Sequence, residues 1–377
     1  MANTCDLPFR LEPQFVERLW GAPADSEELV TFFTFKQSIT AGGHSRRIGE
    51  VWLTGNDNLI ANGPWTGKTL RELTSTCGRS LFGAGSLLSH PTGQPVFPLL
   101  VKFLFTTDKL SVQVHPPDDA ARSLGSWGKT EMWYILRVEP GSRLAVGFRE
   151  EAPREILNDA AKLRDAATTG AIEQMLDWQE VRAGEAYFVP AGTVHAIGSG
   201  ITLCEIQQYS DITYRLYDYN RAGLDGKPRA LHVDQAVKVI DPRSPGGRTV
   251  PHHLTDGSGP RHLLAACPYF ATERWELRDA VQRSTANHLE LWIVLQGSAV
   301  IQAAGASQSV QAGQVVVIPA DAGSFLVQPH GMSVFLRTYP PDWEREIMEP
   351  LRSSNISPEQ LRRTCYPSPV ADKGVAT

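Results

Sequence analysis

The sequence is poor in features that would assign it at a glance. It has only five cysteines in 377 residues: Cys5, Cys77, Cys204, Cys267 and Cys365. They are odd in number, widely scattered and free of CxxC spacing, which excludes a disulfide framework and a cysteine zinc site and points to reduced thiols. No stretch approaches the roughly 18 apolar residues needed to span a bilayer, so no membrane partner is expected. The formal net charge is −5, and no run of like charge is long enough to form a tail for nucleic acid. The opening MANTCDLPFRLEPQFVERLWG lacks the basic start and apolar run of a signal peptide. A cytoplasmic globular protein with one or two domains is therefore expected.

What the sequence does contain is a series of short β-type runs punctuated by Gly, Pro, Asp and Asn. LVTFFTFKQSI (29–39), EVWLTG (50–55), PLLVKFLFT (98–106), SVQVH (111–115), EMWYILRV (131–138), RLAVGF (143–148), EAYFVP (185–190) and ITLCEIQQY (201–209) read as strands. Helical signals are fewer. They lie at 68–78, in an insertion at about 150–178, at 231–240, and after Ser357-Pro358, where a hydroxyl N-cap precedes Pro in the first turn. The last ten residues read as frayed.

An internal repeat carries more information than any single element. KTEMWYIL (129–136) and HLELWIVL (288–295) both contain Glu-x-Trp-x-x-Leu within an apolar strand. Downstream, Gly184 and Gly313 are each followed by five residues and a proline, Pro190 and Pro319. This punctuation resembles the cupin β-barrel, present twice. The copies then diverge. Pro190-Ala191-Gly192-Thr193-Val194-His195 matches the cupin pattern P-x-G-x-x-H, whereas Asp321 and Ser324 stand in the second copy where the first has Gly192 and His195. The first copy is thus the candidate metal-binding half. The second reads as a degenerate, structural one.

Within the first copy, Gln113 and His115 are two residues apart on a strand, so their side chains share a face. Glu131 opens the next apolar run, and His195 follows the Pro–Gly turn. One amide, two imidazoles and one carboxylate converging from several strands suit zinc, with manganese, iron or cobalt remaining open. Each has an ordinary alternative. A lone histidine in a β-protein is normally a hydrogen-bonded core or surface residue, and spacing alone leaves Gln113 either ligand or polar edge. Glu131, flanked by Met132 and Trp133, would be a costly buried charge without a cation. His44, His90, His232, His252, His253 and His262 lack such context and read as structural.

Three cations complete the candidate site. Lys129 lies two before Glu131, on the same face. Lys102 sits in the apolar run PLLVKFLF and needs a specific partner, for which a phosphate dianion or a neighbouring carboxylate would serve. In DITYRLYDYNR (211–221), Arg215 would share a face with Tyr217 if the chain is extended, and could pair with Asp211 or Asp218 instead of a ligand.

Taken together, IGEVW (48–52), FPLLVKFL (97–104), LSVQVHPPD (110–118), GKTEMWYIL (128–136), VPAGTVHAIGSG (189–200) and EIQQYSDITYRLYDYNR (205–221) resemble the type I mannose-6-phosphate isomerases of bacterial type, in the cupin superfamily. The resemblance runs in order over about residues 15 to 240. It implies a mainly β fold of two cupin-like, jelly-roll barrels with a small helical insertion. Residues 1–250 would form the catalytic domain, 251–341 a degenerate cupin-like barrel and 342–377 a helical or frayed extension. It further implies a cytoplasmic aldose–ketose isomerase, monomer or homodimer, that interconverts mannose 6-phosphate and fructose 6-phosphate through a cis-enediol. One zinc ion per chain would be held by Gln113, His115, Glu131 and His195. Arg215 would be catalytic, and Lys102, Lys129 and Arg215 would bind the sugar phosphate. The general base stays open, with Glu205 or a water among the choices. Readings outside this one are an isomerase of another phosphorylated sugar, an iron-dependent cupin oxygenase, and a non-catalytic sugar-phosphate-binding cupin.

Overall fold

The computed structural model describes residues 5–33, 40–41, 44–83, 90–254, 259–352 and 356–367. The chain is mainly β and divides into two compact units, one of Pro13–Asn58 and Ser89–Gly247, the other of Met1–Glu12, Leu59–Leu88 and Arg248–Thr377. They are called here the first and second β units. Each contains two larger open antiparallel sheets, and no sheet closes on itself among the described residues.

In the first β unit the larger sheet runs in the spatial order Ala186–Val189, Glu131–Val138, Ile201–Gln208, Leu99–Thr106, Gln14–Pro23 and Arg47–Trp52. Its central strands, LLVKFLFT and ITLCEIQQ, are buried at every residue, as near-continuous apolar runs with both faces covered should be. The facing sheet contains Leu176–Glu180, Arg143–Phe148, His195–Ile197, Val112–Val114 and Tyr214–Tyr217. Trp133, Tyr187 and Leu203 from one sheet meet Leu144, Val146 and Ile197 from the other in a common core. Burying each such side chain stabilises the unit by roughly 1.5–3 kcal/mol.

The helical insertion resolves into three short helices, Arg154–Leu157, Ala160–Thr169 and Ile172–Met175. The middle one starts at Asp159, whose carboxylate accepts from the amides of Ala161 and Lys162, and ends at left-handed Gly170, a common helix stop. Leu157, Leu163 and Ala166 pack against Val112, Val114 and Leu216 of the smaller sheet. The insertion therefore covers that sheet's outer face, and strand alternation turns Gln113 the other way, toward the inter-sheet space.

The second β unit repeats the plan. Its larger sheet places Val315–Ile318, Glu290–Gln296, Ser333–Tyr339, Ala271–Leu277 and Arg261–Ala266 side by side. Trp275, Trp292, Phe325 and Phe335 fill the core between this sheet and a four-stranded partner. The expected helix at 68–78 runs from Leu70 to Phe82 behind a Thr69–Glu72 capping box and belongs to this unit. The helical segment after Tyr339 buries Ile347, Leu351 and Leu361 against Leu263 and Tyr339.

One local expectation changes. The run 29–39 was expected as a strand, but Glu27–Val30 forms one helical turn, with Glu27 and Glu28 at its positive N-terminal end; residues 34–39 lie outside the described residues. So do the last ten residues, expected to fray.

Candidate metal centre and sugar-phosphate cavity

The site of the first β unit is assembled from both sheets. Gln113 lies opposite both His195 and Arg215 in the smaller sheet. In the larger sheet Glu205 stands between Lys102 on one neighbouring strand and Trp133 on the other, and Glu131 lies opposite Gln207. The turn before His195 depends on Gly192, whose φ is +87° and where a Cβ would meet the Val239 carbonyl at 3.0 Å. The Gly192 amide donates to the His115 carbonyl at 2.8 Å. That hydrogen bond ties the two histidine-bearing segments together.

The side chains of Gln113, His115, Glu131 and His195 converge. Nε2 of His115 and Nε2 of His195 each stand 3.6 Å from a Glu131 oxygen, and the imidazole centroids are 4.8 Å apart. Gln113 Nε2 donates to His195 Nε2 at 3.2 Å. His115, Glu131 and His195 are buried, and their ligand atoms all lie within 4.8 Å of one another.

The protonation pattern suits a cation. His115 Nδ1–H donates to the Ile212 carbonyl at 2.8 Å, and His195 Nδ1–H to the Thr193 carbonyl at 2.9 Å. Each bond fixes the tautomer and aims an Nε2 lone pair at the centre, as partners of metal-bound histidines do. Burial, then the nearby Lys129 charge, pushes His115 well below its usual range. Burial holds His195 down to about 4. Both imidazoles are therefore neutral near pH 7. Oε2 of Glu131 accepts no well-aligned hydrogen bond among the described residues, although Lys129 Nζ lies 2.9 Å away.

The cations expected from sequence lie around this centre. Lys129 Nζ donates to His115 Nε2 at 3.1 Å and also lies 3.4 Å from Glu205. Burial opposes its charge, but Glu131 and Glu205 carry its pKa above the usual lysine value. Lys102 Nζ is 3.7 Å from Glu205, 3.7 Å from Asp211 and 3.8 Å from Glu50. For Glu205, burial outweighs the lysines and raises the carboxyl. Arg215 is half-buried. Its Nη1 donates to the Ala230 carbonyl at 2.8 Å, while its Nε is buried without an acceptor among the described residues.

The expected Arg215–Tyr217 face does not form. A register shift falls between the two residues, and Tyr217 packs with the helical insertion while Arg215 lines a cavity of about 550 Å³. Nor does Arg215 pair with Asp218, which is held by Arg221 at 3.0 Å and Arg229 at 2.6 Å. Gln113, Lys102, Lys129 and Glu205 also face the cavity.

Sequence reasoning left Glu50 unassigned. It accepts from Arg18 Nε at 2.8 Å and from Trp52 Nε1 at 2.6 Å. Burial alone would raise its pKa, but Lys102, Arg18 and Trp52 bring it down to about 2. The available signal was an acidic residue inside the apolar strand IGEVW. Arg18, Asp211 and Arg229, also on the cavity wall, gave no comparable signal because they lie on irregular or half-exposed backbone.

Two imidazoles and a carboxylate poised between facing sheets, beside a cavity lined by cations, define a metal-binding enzyme of the cupin class. Residues 8–134 match the family described as phosphomannose isomerase type I, catalytic domain, and residues 261–338 match the mannose-6-phosphate isomerase cupin domain. A probable mannose-6-phosphate isomerase of Bacillus subtilis is 32% identical over 347 residues, spanning 88% of this chain and 99% of its own. The chain belongs to the type I mannose-6-phosphate isomerase family. A crystal structure of the Bacillus subtilis mannose 6-phosphate isomerase superimposes with a TM-score of 0.74 at 28% identity, covering 88% of this chain and 99% of that one. A zinc-bound mannose 6-phosphate isomerase shares the fold at a TM-score of 0.65 and 16% identity, again over 88% and 99% of the two chains.

Proposed function

We propose that the first β unit carries the active site of a metal-dependent aldose–ketose isomerase that interconverts mannose 6-phosphate and fructose 6-phosphate. His115, Glu131 and His195 would hold one zinc ion, joined by Gln113 once its amide, whose nitrogen faces His195, turns to present its oxygen. The observation that carries this reading is the pair of Nδ1–carbonyl hydrogen bonds, which leaves two buried Nε2 lone pairs directed at one carboxylate. A divalent cation held there supplies Lewis-acid stabilisation of the oxygen charge that develops as the cis-enediol forms.

The protein's own groups supply the rest. Arg215 has an uncommitted Nε on the cavity wall, so it can take an oxyanion or a phosphate oxygen without leaving its backbone partner. Lys102 and Lys129 are held in place by carboxylates on the cavity lining, where each can donate to a substrate oxygen. With a cation on the shared donors, Lys129 still has Glu205 as a counter-ion. Glu205, its pKa raised, can hold a proton near the reacting carbons. The chain enters the reaction without a redox partner because the proton moves within one substrate.

Each pair of sheets corresponds to a cupin-like jelly-roll barrel in this reading, with the catalytic one inside 1–250, less 1–12 and 59–88, which group with the second unit, then a degenerate barrel over 251–341 and an extension over 342–377. A monomer or homodimer in the cytoplasm, without nucleic-acid or membrane partners, fits the net charge of −5. No helix among the described residues is long and apolar enough to cross a membrane. The test couples mannose 6-phosphate to a fructose 6-phosphate readout with chelator and zinc add-back. Turnover that survives complete metal removal would sink the assignment.

A further inference from the structure

The second β unit encloses a cavity of its own, about 560 Å³, within the usual size range for a metabolite site. Three guanidiniums reach it: Arg261, Arg283 and Arg337. Two of them are answered. Arg337 grips Glu290 through two hydrogen bonds of 2.7 Å and stands 3.1 Å from Glu273. Arg261 lies 3.3 Å from Glu273. A third carboxylate on the wall, Glu346, is taken by His288 at 3.1 Å.

Arg283 is the surplus. It lies against the Trp275 ring, 5.1 Å from its centroid, with no hydrogen bond or ion pair of its own among the described residues, and Glu290 and Glu273 act on it only from longer range. Its Nε is buried without an acceptor. Burial, followed by the Arg337 charge, lowers its pKa from the usual guanidinium value. A largely buried cation whose nearest carboxylates, Glu290 and Glu273, are already in contact with Arg337 and Arg261 is costly unless a further anion joins it. The cavity lining also includes the apolar side chains Leu254, Leu263, Ile347 and Leu351.

We infer that this cavity binds a small organic oxyanion, a phosphate monoester or a carboxylate, with its charged end on Arg283 and its carbon skeleton against the leucine and isoleucine wall. The site is separate in chemistry from the isomerase centre, because Glu273 and Glu290 are paired with arginine and Glu346 with His288, and no metal-ligand group forms there among the described residues.

Isothermal titration of the full-length, zinc-loaded protein with glycerol 3-phosphate and, separately, succinate tests this. At least one probe should bind wild type with an equivalent that Arg283→Met weakens by more than about tenfold, the scale of one lost charge-assisted hydrogen bond. Arg283→Lys should retain part of it, and all three proteins should turn over mannose 6-phosphate alike. The probe that binds decides between phosphate and carboxylate. Equal stoichiometry and affinity in wild type and Arg283→Met, or no binding of either probe at millimolar concentration, overturns the inference. Should Arg283→Met fail to fold, unchanged binding by Arg283→Lys relative to wild type counts against it.

Discussion

The two β units place corresponding residues in the same sheet register and reverse their charges. In the first, Glu205 lies between Lys102 and Trp133 across adjacent strands. In the second, Arg337 lies between Glu273 and Trp292. Each unit also starts a central strand with a glutamate two residues before that tryptophan, Glu131 and Glu290. Glu290 is satisfied internally, by Arg337 and by Trp292 Nε1 at 2.9 Å. Glu131 instead faces two neutral imidazoles, each 3.6 Å away, and the Lys129 ammonium at 2.9 Å. A buried carboxylate must meet positive charge: one unit grips it with both arms of an arginine, while the other gives it a single lysine and two imidazole acceptors beside it. On the function proposed above, one framework closes on itself in the second unit and is left to the isomerase chemistry in the first.

The comparison breaks most visibly at His195. His195→Ala should abolish stoichiometric zinc by elemental analysis and lower turnover by far more than about 100-fold, since even groups that merely orient ligands cost up to that much. Retained zinc and activity would mean that the first unit's histidines are as structural as the second unit's arginine. Next in size is the buried pair. Glu290→Gln should destabilise the chain by about 3 kcal/mol in denaturant unfolding, because Arg337 loses its two-pronged partner and is left with Glu273, which Arg261 shares, while the surviving folded enzyme keeps its kcat. A large loss of kcat without loss of stability would reverse the roles assigned to the two units.

Arg215→Ala should reduce kcat by about 10²–10³-fold, the range for removing one oxyanion donor, with zinc content and melting temperature near wild type. A change confined to KM would make Arg215 a binding residue only. The smallest effect concerns pH. Glu50 has a folded pKa of about 2 against an ordinary 4.5, so its contribution is complete above pH 4.5 and is lost as pH falls from there toward 2. Its size is about 3 kcal/mol at roughly 1.4 kcal/mol per pKa unit. Comparing acid unfolding of wild type and Glu50→Gln checks this, and superimposable pH curves would contradict it.

Much of the site was legible because its signals are local. Gln113 and His115 follow strand alternation, and His195 follows a turn that only a left-handed glycine completes. Glu131 betrayed itself as a charge in an apolar strand. The same argument applied to IGEVW would have found Glu50. Arg215 was legible as a residue but not in its orientation, because a one-residue register shift before Tyr217 breaks the alternation that sequence spacing assumes. The 29–39 run misled for a related reason: β-branched and aromatic content there competes with an acidic helix start.

By itself, the sequence determined the strand-rich class, the doubled Glu-x-Trp framework and which copy retained histidines, since periodicity, turn chemistry and residue type are encoded along the chain. Tertiary structure decided the partners. That Lys102 answers Glu50, Glu205 and Asp211, that Asp218 belongs to Arg221 and Arg229, and that Arg283 is left over in the second unit are matters of inter-strand distance. Electrostatic pairing depends on separation and burial, and neither is written in the spacing of residues along a strand.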